Sequence, residues 1–300
     1  MKHALVLFLL ATHIVAAPTE PSEAEVCANL LETRQACVLT QTNSKEFWYE
    51  EIHNNGISPF IPDGDSWPVF RNVKSFRAEG DGLTDDSLAI QNAIDAGTNF
   101  ANRSTNSLGT TGQPAVLYFP SGTYLVKKPL QLYVYTVVMG DPINMPTIKA
   151  ASSFEGDTVI RAKDPNQVSV ENFHIGIKNI ILDSQSLNRA RTLTLLDWSI
   201  SQGTQLTNVA FNMPFDATGH TGLATPANGS PLMVNDCTFT GGATGIAMNT
   251  QQYHLQGLKF SRCTTGIRTT GASTTSCRAA RSSSAPSGST RRASTSGSWP

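Results

Sequence analysis

Charge is scarce in this 300-residue chain. Asp, Glu, Lys and Arg make up 15% of it, 22 basic against 23 acidic residues, for a net charge of −1. A nucleic-acid partner would favour a basic stripe, and none is present. Long apolar runs are equally scarce. After the first seventeen residues no stretch is long and apolar enough to span a bilayer, so no membrane partner is expected. The cysteines are few (Cys27, Cys37, Cys237, Cys263 and Cys277) and form no Cys-x-x-Cys pair; with no His-rich cluster either, neither zinc nor any other metal or cofactor is implied. Abundant Gly, Ser, Thr and Asn fit a β-rich protein with a neutral substrate.

The one apolar run sits at the start. Lys2 and His3 precede Ala4–Ala11, and small residues follow at Val15-Ala16-Ala17. This reads as a signal peptide over residues 1–17, which predicts a secreted, disulfide-permissive product at the cell exterior or cell wall. Residues 18–45 are polar and pro-like. Cys27 and Cys37 are close enough in sequence to pair locally, while Cys237 and Cys263 are stacked core thiols or a bridge; spacing does not decide which.

The stretch that organises the chain runs from Val69 to Ile94. Val69, Phe70, Val73 and Phe76 suggest a strand, Gly80 and Gly82 a tight turn with positive φ. Leu88, Ala89, Ile90, Ala93 and Ile94 then follow at helical spacing. Oxygens of Thr84, Asp85 or Asp86 are placed to accept bonds from the free N–H groups at the helix start, so capping explains the paired aspartates.

Short strands and turns follow: Ala115–Phe119 and Thr123–Val126 around Pro120-Ser121-Gly122, then Val134–Met139, Thr147–Ala150 and Thr158–Ile160. From Ile177 a repeat becomes explicit. Ile177-Lys-Asn-Ile180-Ile-Leu182, Leu206-Thr-Asn-Val209-Ala-Phe211, Val234-Asn-Asp-Cys237-Thr-Phe239 and Leu255-Gln-Gly-Leu258-Lys-Phe260 fit one template, spaced by about one solenoid coil. Thr244-Gly245-Ile246 and Thr265-Gly266-Ile267 repeat in a second register. A single coil cannot bury its apolar face, so coils must stack. The tail, residues 272–300, has no aliphatic side chain larger than Ala. It is therefore expected to form no further coil and reads as disordered or frameshifted. Asn102-Arg103-Ser104 and Asn228-Gly229-Ser230 are N-glycosylation acceptors on a eukaryotic secretory route.

The segment Phe76-Arg-Ala-Glu-Gly80-Asp-Gly-Leu-Thr-Asp85-Asp-Ser-Leu-Ala-Ile90 resembles the entry motif of pectate-lyase-like proteins. The resemblance implies an all-β, right-handed parallel β-helix whose open end is capped by this helix. Further segments sharpen it: Trp48-Tyr49-Glu50-Glu51-Ile52, Gly56–Phe60, Trp67–Val73, Gln113–Val116, Tyr118–Tyr124 and Val138–Pro142. Together they resemble the first half of fungal exo-β-1,3-glucanases of glycoside hydrolase family 55, over about residues 46–271. That resemblance implies a monomer that binds β-glucan and hydrolyses it from a chain end with inversion. It also implies a second β-helix carrying the Glu general acid, a domain that would lie beyond this chain.

The residues leave a narrower choice. Inverting hydrolysis needs a carboxylic acid by the leaving oxygen and a held water on the opposite face. Asn249-Thr250-Gln251-Gln252-Tyr253 resembles the family's turn that contributes a glutamine to water positioning. Alternation puts Tyr253 and Leu255 inward and Gln252 and His254 outward, so Gln252 is the first candidate and Gln251 the second. The carboxylates of Glu155, Glu171, Asp183, Asp197, Asp216 and Asp236 are isolated in sequence; turn hydrogen bonding is expected for Asp183 and Asp236. His220 reads as a loop histidine, and Trp198 and Tyr253 as core or sugar-stacking rings. Two rival functions stay open: a pectin-active lyase or hydrolase, and a non-catalytic carbohydrate-binding β-helix.

Overall fold

In the computed structural model the chain divides after Glu46 into two units, and every residue described below belongs to the second, Phe47–Pro300. The described residues are 47–50, 58, 61, 64–97, 103, 112–225, 232–249, 252–270, 274–278 and 281–283; the last two spans are described by backbone alone. The proposed leader, Cys27, Cys37, Asn102, Asn228 and Gln251 lie outside them.

Strands dominate, and every pairing is parallel. The first wall stacks β1 (Phe70–Asn72), β3 (Ala115–Phe119), β6 (Thr136–Gly140), the front of β9 (Gly176–Asp183), the front of β11 (Thr204–Asn212), β13 (Leu232–Asn235), β16 (Gln252–Gln256) and β19 (Thr274–Arg278). The second holds β2 (Asp81–Asp85), β4 (Thr123–Val126), β7 (Thr147–Ala150), the backs of β9 and β11, β14 (Thr238–Thr240), β17 (Lys259–Ser261) and β20 (Arg281–Ser283). β9 and β11 bend across both walls, so these two form one 14-stranded sheet. A separate six-stranded sheet makes the third wall: β5 (Leu130–Gln131), β8 (Thr158–Arg161), β10 (Leu193–Asp197), β12 (His220–Thr225), β15 (Thr244–Met248) and β18 (Thr265–Thr269). Each pass of the chain visits the three walls in turn and returns one strand further along. Parallel crossovers take the right hand, and the result is a right-handed parallel β-helix.

Register turns the sequence repeat into inward ladders. Leu117, Val138, Ile177, Leu206, Val234 and Leu255 align along the first wall. Tyr124, Ile148, Leu182, Phe211, Phe239 and Phe260 align along the second. Leu130, Ile160, Leu196, Leu223, Ile246 and Ile267 align along the third. Nearly all are buried, Ile267 only partly. Each fully buried rung contributes about 1.5–3 kcal/mol, which holds coils that carry little charge pairing.

The third residue of each template copy turns the corner between the first two walls. Asn179, Asn208, Asp236 and Gly257 sit there with φ of 57°, 53°, 52° and 65°. Asn and Asp tolerate this left-handed conformation better than other side-chain-bearing residues. Stacking adds a second reason, because Asn208 Nδ2 donates to Asn179 Oδ1 at 3.0 Å. Replacing Asn208 by Ala is expected to cost about 1–2 kcal/mol in a urea titration, and replacing it by Gly less. Equal losses would show that backbone conformation is not what selects the residue.

The N-terminal end differs from the expectation in two details. The early strand is only Phe70–Asn72, because Val73–Phe76 winds into a 3-10 turn with Asn72 Oδ1 accepting from Lys74 N. Gly80 and Gly82 do take positive φ, 67° and 75°. The helix α1 (Ser87–Asp95) is capped by Asp85, whose Oδ1 accepts from Ser87 N and Oγ. Asp86 turns back instead and accepts from Glu79 N and Gly80 N at 2.7 and 3.1 Å. Ile90, Ala93 and Ile94 then plug the solenoid end. Arg71, 1% exposed, closes the other helix terminus by donating from Nη1 to the carbonyls of Ala93 and Ile94.

The chain past Gly271 also departs from expectation. β19 aligns Thr275 with Tyr253 and Cys277 with Leu255, and β20 aligns Ser282 with Phe260. One more partial coil forms without any large aliphatic residue. Parallel pairing is made by backbone N–H and C=O groups, which every non-proline residue offers, and Thr favours the extended chain.

Candidate functional site

Chemistry accessible to a ligand must come from side chains pointing outward from the walls. β16 alternates as the sequence implies: Gln252 exposed, Tyr253 buried, His254 half-buried, Leu255 buried, Gln256 exposed. Gln252 therefore stands on the outer surface of the first wall, at the entry to its strand. His254 aligns with Met233 and Gln256 with Asn235 on the neighbouring coil, and His254 Nε2 lies 3.3 Å from Gln256 Oε1. One coil further back are Gln205 and Thr207. The first wall thus presents amide, hydroxyl and imidazole groups at successive rungs. Such groups exchange hydrogen bonds with neutral hydroxylated ligands without demanding a counter-charge.

The carboxylates are mostly committed to turns. Asp183 Oδ1 accepts from Gln185 N at 2.7 Å, the turn bond expected of it. Asp197 Oδ1 accepts from Ser199 N and Oγ. Asp216 and Asp236 both occupy left-handed corner positions. Glu155 and Glu171 are exposed. Sequence reasoning missed two enclosed acids. Asp164 is 0% exposed and accepts from Val134 N and Asn166 N; Asp141 accepts from Ile143 N and Asn144 N. Their only signal in sequence is an Asp two residues before a backbone N–H in a Pro-containing turn, a pattern too common to single them out. Among the described residues no three His, Cys, Asp or Glu side chains converge as a metal centre would require.

Asp183 differs from the other turn acids. It ends β9 on the outer side of the second wall, in register with Lys149 on one side and Asn212 on the other. Burial pushes its carboxyl pKa upward, against the opposing effects of Gln185 N–H and the Lys149 charge. A carboxyl that holds its proton more readily is the type a general acid needs.

The aromatic and histidine candidates resolve into the core. Trp198 is 0% and Tyr253 5% exposed, so neither ring face is open to a sugar. His220 is a strand residue of β12 and not a loop histidine. It is fully buried, with Nε2–H donating to Asn188 O at 2.9 Å and Nδ1 3.0 Å from Ser184 Oγ. A carbonyl only accepts, so Nε2 carries the proton and Nδ1 accepts a hydrogen bond from the Ser184 hydroxyl. Burial, helped by the Arg191 charge, lowers the imidazole pKa from its ordinary value. This Ser–His pair is sealed and bolts one coil to the next. Cys237 and Cys263 are free thiols, pushed up by burial to about 12 and about 11, so neither serves as a nucleophile.

The comparisons with known proteins agree with this architecture. Residues 70–290 match the family described as rhamnogalacturonase A/epimerase, pectate lyase-like, a span that runs past Gly271. Among curated proteins, the chain is similar to a probable glucan endo-1,3-beta-glucosidase of Arthroderma benhamiae, at 39% identity over 236 residues. That alignment takes in 75% of this chain and 26% of the relative. It is also similar to a non-secreted LysM effector, LysM19, of Penicillium expansum, 34% identical over 77% of this chain and 18% of the relative. A glucan 1,3-beta-glucosidase of Cochliobolus carbonum is 34% identical over 74% of this chain and 29% of the relative. The chain spans less than a third of the length of each of these relatives. With the solenoid and its matched span both in hand, the chain belongs to the rhamnogalacturonase A/epimerase, pectate-lyase-like family.

Proposed function

We propose that this chain is the N-terminal β-helix of a secreted glycoside hydrolase of family 55, acting on β-1,3-glucan from a chain end with inversion. The observation that carries the reading is a pair of relatives named for β-1,3-glucan, a probable glucan endo-1,3-beta-glucosidase and a glucan 1,3-beta-glucosidase, each matched along about three quarters of this chain. The outward strip around Gln252 supports it, since uncharged amides and hydroxyls suit a neutral polysaccharide. Gln252 positions the attacking water or the sugar beside it, with Gln251 as second candidate, and the general acid comes from a second β-helix. Residues 1–17 direct export in this reading, residues 18–45 form a pro-like segment, and the enzyme works as a monomer outside the cell or in its wall.

Incubation of the 300-residue protein with laminarin, following glucose, is the first test. The expected result is no release from this chain alone and release from a longer polypeptide that continues past it. There, Gln252→Ala is expected to lower kcat about 100-fold with an unchanged melting temperature. Product anomer by proton NMR decides inversion, and the ratio of glucose to oligosaccharides decides exo against endo action. Release from the 300-residue chain would place the acid within it, and Asp183→Asn is then the first substitution to make. The family description favours a second reading, a pectin-active enzyme. Rhamnogalacturonan and polygalacturonate assayed in parallel separate it, and glucan binding without turnover in the longer chain would leave a non-catalytic carbohydrate-binding role.

A further inference from the structure

The segment that leads from β9 to β10, residues 184–192, is a surface turn. Between Ser184 at its start and Thr192 at its end, Leu187 is the one buried side chain. Neighbouring coils tie the turn down. Thr218 N and Gly219 N donate to Arg189 O at 2.9 and 3.3 Å. Glycine permits this approach, because a Cβ on Gly219 would come within 2.3 Å of Arg191 O. On the other side, Arg191 Nη2 donates to Gly156 O at 2.6 Å. His220 stands at the root of the turn and uses both ring nitrogens on it. Nε2–H donates to Asn188 O at 2.9 Å, and Nδ1 accepts from Ser184 Oγ at 3.0 Å. The ring is 0% exposed. Its two polar edges are both covered by the 184–192 segment, so water reaches the ring only when that segment lifts.

No counter-charge is held ready for a proton on this ring. Of the strands paired with β12, β10 sets Leu193 opposite His220 and its Asp197 opposite Ala224, near the far end. β15 carries no ionisable side chain. Asp183, just before Ser184, is engaged by Gln185 N, while Asp216 and Arg189 are exposed. Among the described residues, Arg191 is the only charge that acts on the ring, and it is a cation. A buried imidazolium with no anionic partner is costly, whereas the neutral ring satisfies both of its bonds.

We infer that His220 is an acid-sensitive latch: neutral, it pins the 184–192 turn onto the next coil, and on taking up a proton it releases that turn to solvent. The inference goes beyond the proposed function and does not depend on it. Burial first, with Arg191 alongside and the Asn188 bond opposing, holds the pKa of the closed form below the ordinary 6.5. The open form, with its ring in water, binds a proton more readily. Opening is therefore at its minimum above 6.5, grows as pH falls below it, and levels off at the depressed value of the closed form. Asp183 has the opposite sign: burial raises its pKa from 3.8, so acid favours its closed form.

The test is amide hydrogen exchange of the 300-residue protein, read by mass spectrometry on either side of the ordinary histidine pKa and corrected for the intrinsic rate at each pH. In wild type the opening constant of residues 184–192 is expected to rise toward about tenfold per pH unit of acidification, the slope of one proton taken up on opening. Residues 141–146, a turn on a different corner, should show no such slope. His220→Gln keeps a donor for Asn188 O and an acceptor for the Ser184 hydroxyl but cannot become charged, so its slope should vanish. The same slope in His220→Gln, no slope in wild type, or an equal slope at residues 141–146 would each overturn the latch. If the variant does not fold, proton NMR titration of the His220 ring in wild type decides. A midpoint below the ordinary value supports the latch, and one at or above it overturns it.

Discussion

Phe239→Ala is expected to lower the unfolding free energy by about 3–5 kcal/mol and the melting temperature by roughly 10 °C. Phe239 is the middle ring of a column. The Phe211 ring lies 4.6 Å away at 6° and the Phe260 ring 5.1 Å away at 13°, so both faces are covered by parallel aromatic planes. The ring edge rests on glycine: a Cβ on Gly222 would come within 2.9 Å of it. The neighbouring strands are fixed in register, so the walls cannot close over the hole, and the cavity term adds to the lost transfer energy. Phe239→Leu, which keeps most of the volume, should cost less than half as much. Urea midpoints for the two variants check this, and a loss under 1 kcal/mol for the alanine would show that the column is not the centre of the core.

Arg71→Ala should have an effect of comparable size, about 3–4 kcal/mol, by a different route. Its guanidinium donates from Nε to Pro68 O and from Nη1 to Ala93 O and Ile94 O, and sits 5.3 Å from the Trp67 ring centre. Removing it orphans two carbonyls at the negative end of α1 and leaves a void beneath the cap. The group is not free of cost. Burial first, and then the nearby Arg103 charge, push its pKa down to about 9, and Nη2 has no partner. Replacing a buried charge by a well-packed apolar chain often costs little. Arg71→Met therefore separates the two contributions: it restores volume but not the hydrogen bonds, and is expected to recover about half the loss. If methionine restores full stability, helix capping is not what Arg71 supplies.

Much of the solenoid is legible in the sequence because its coils repeat. Ile177, Leu206, Val234 and Leu255 announce one inward column, and the structure puts them in one register. The capping stretch is legible too, although there the two aspartates divide their work in a way spacing does not reveal. Which carboxylate caps the helix and which ties the turn depends on where the strand ends, a detail of three-dimensional path. His220 is misread as a loop residue because Gly219 and Thr221 look like a turn, whereas the neighbouring Leu193 and Thr244 strands draw it into a wall. The coil after Gly271 escapes notice for a related reason: an existing edge of unpaired backbone accepts a strand whose own side chains give no hydrophobic signal.

The sequence alone determines the periodicity, the inward columns, the left-handed corners at Asn and Gly, and the outward direction of Gln252. All of these follow from local backbone preference and a two-residue side-chain period, which any stretch of chain carries within itself. Only the tertiary structure decides which outward residues share a surface, because rungs from Trp48 to Gln256 are up to about two hundred positions apart in the chain and become neighbours through parallel stacking. The same stacking seals Trp198 and His220 inside and sets Asp183 beside Lys149. Burial and charge proximity are properties of the assembled coils, and no single coil contains them.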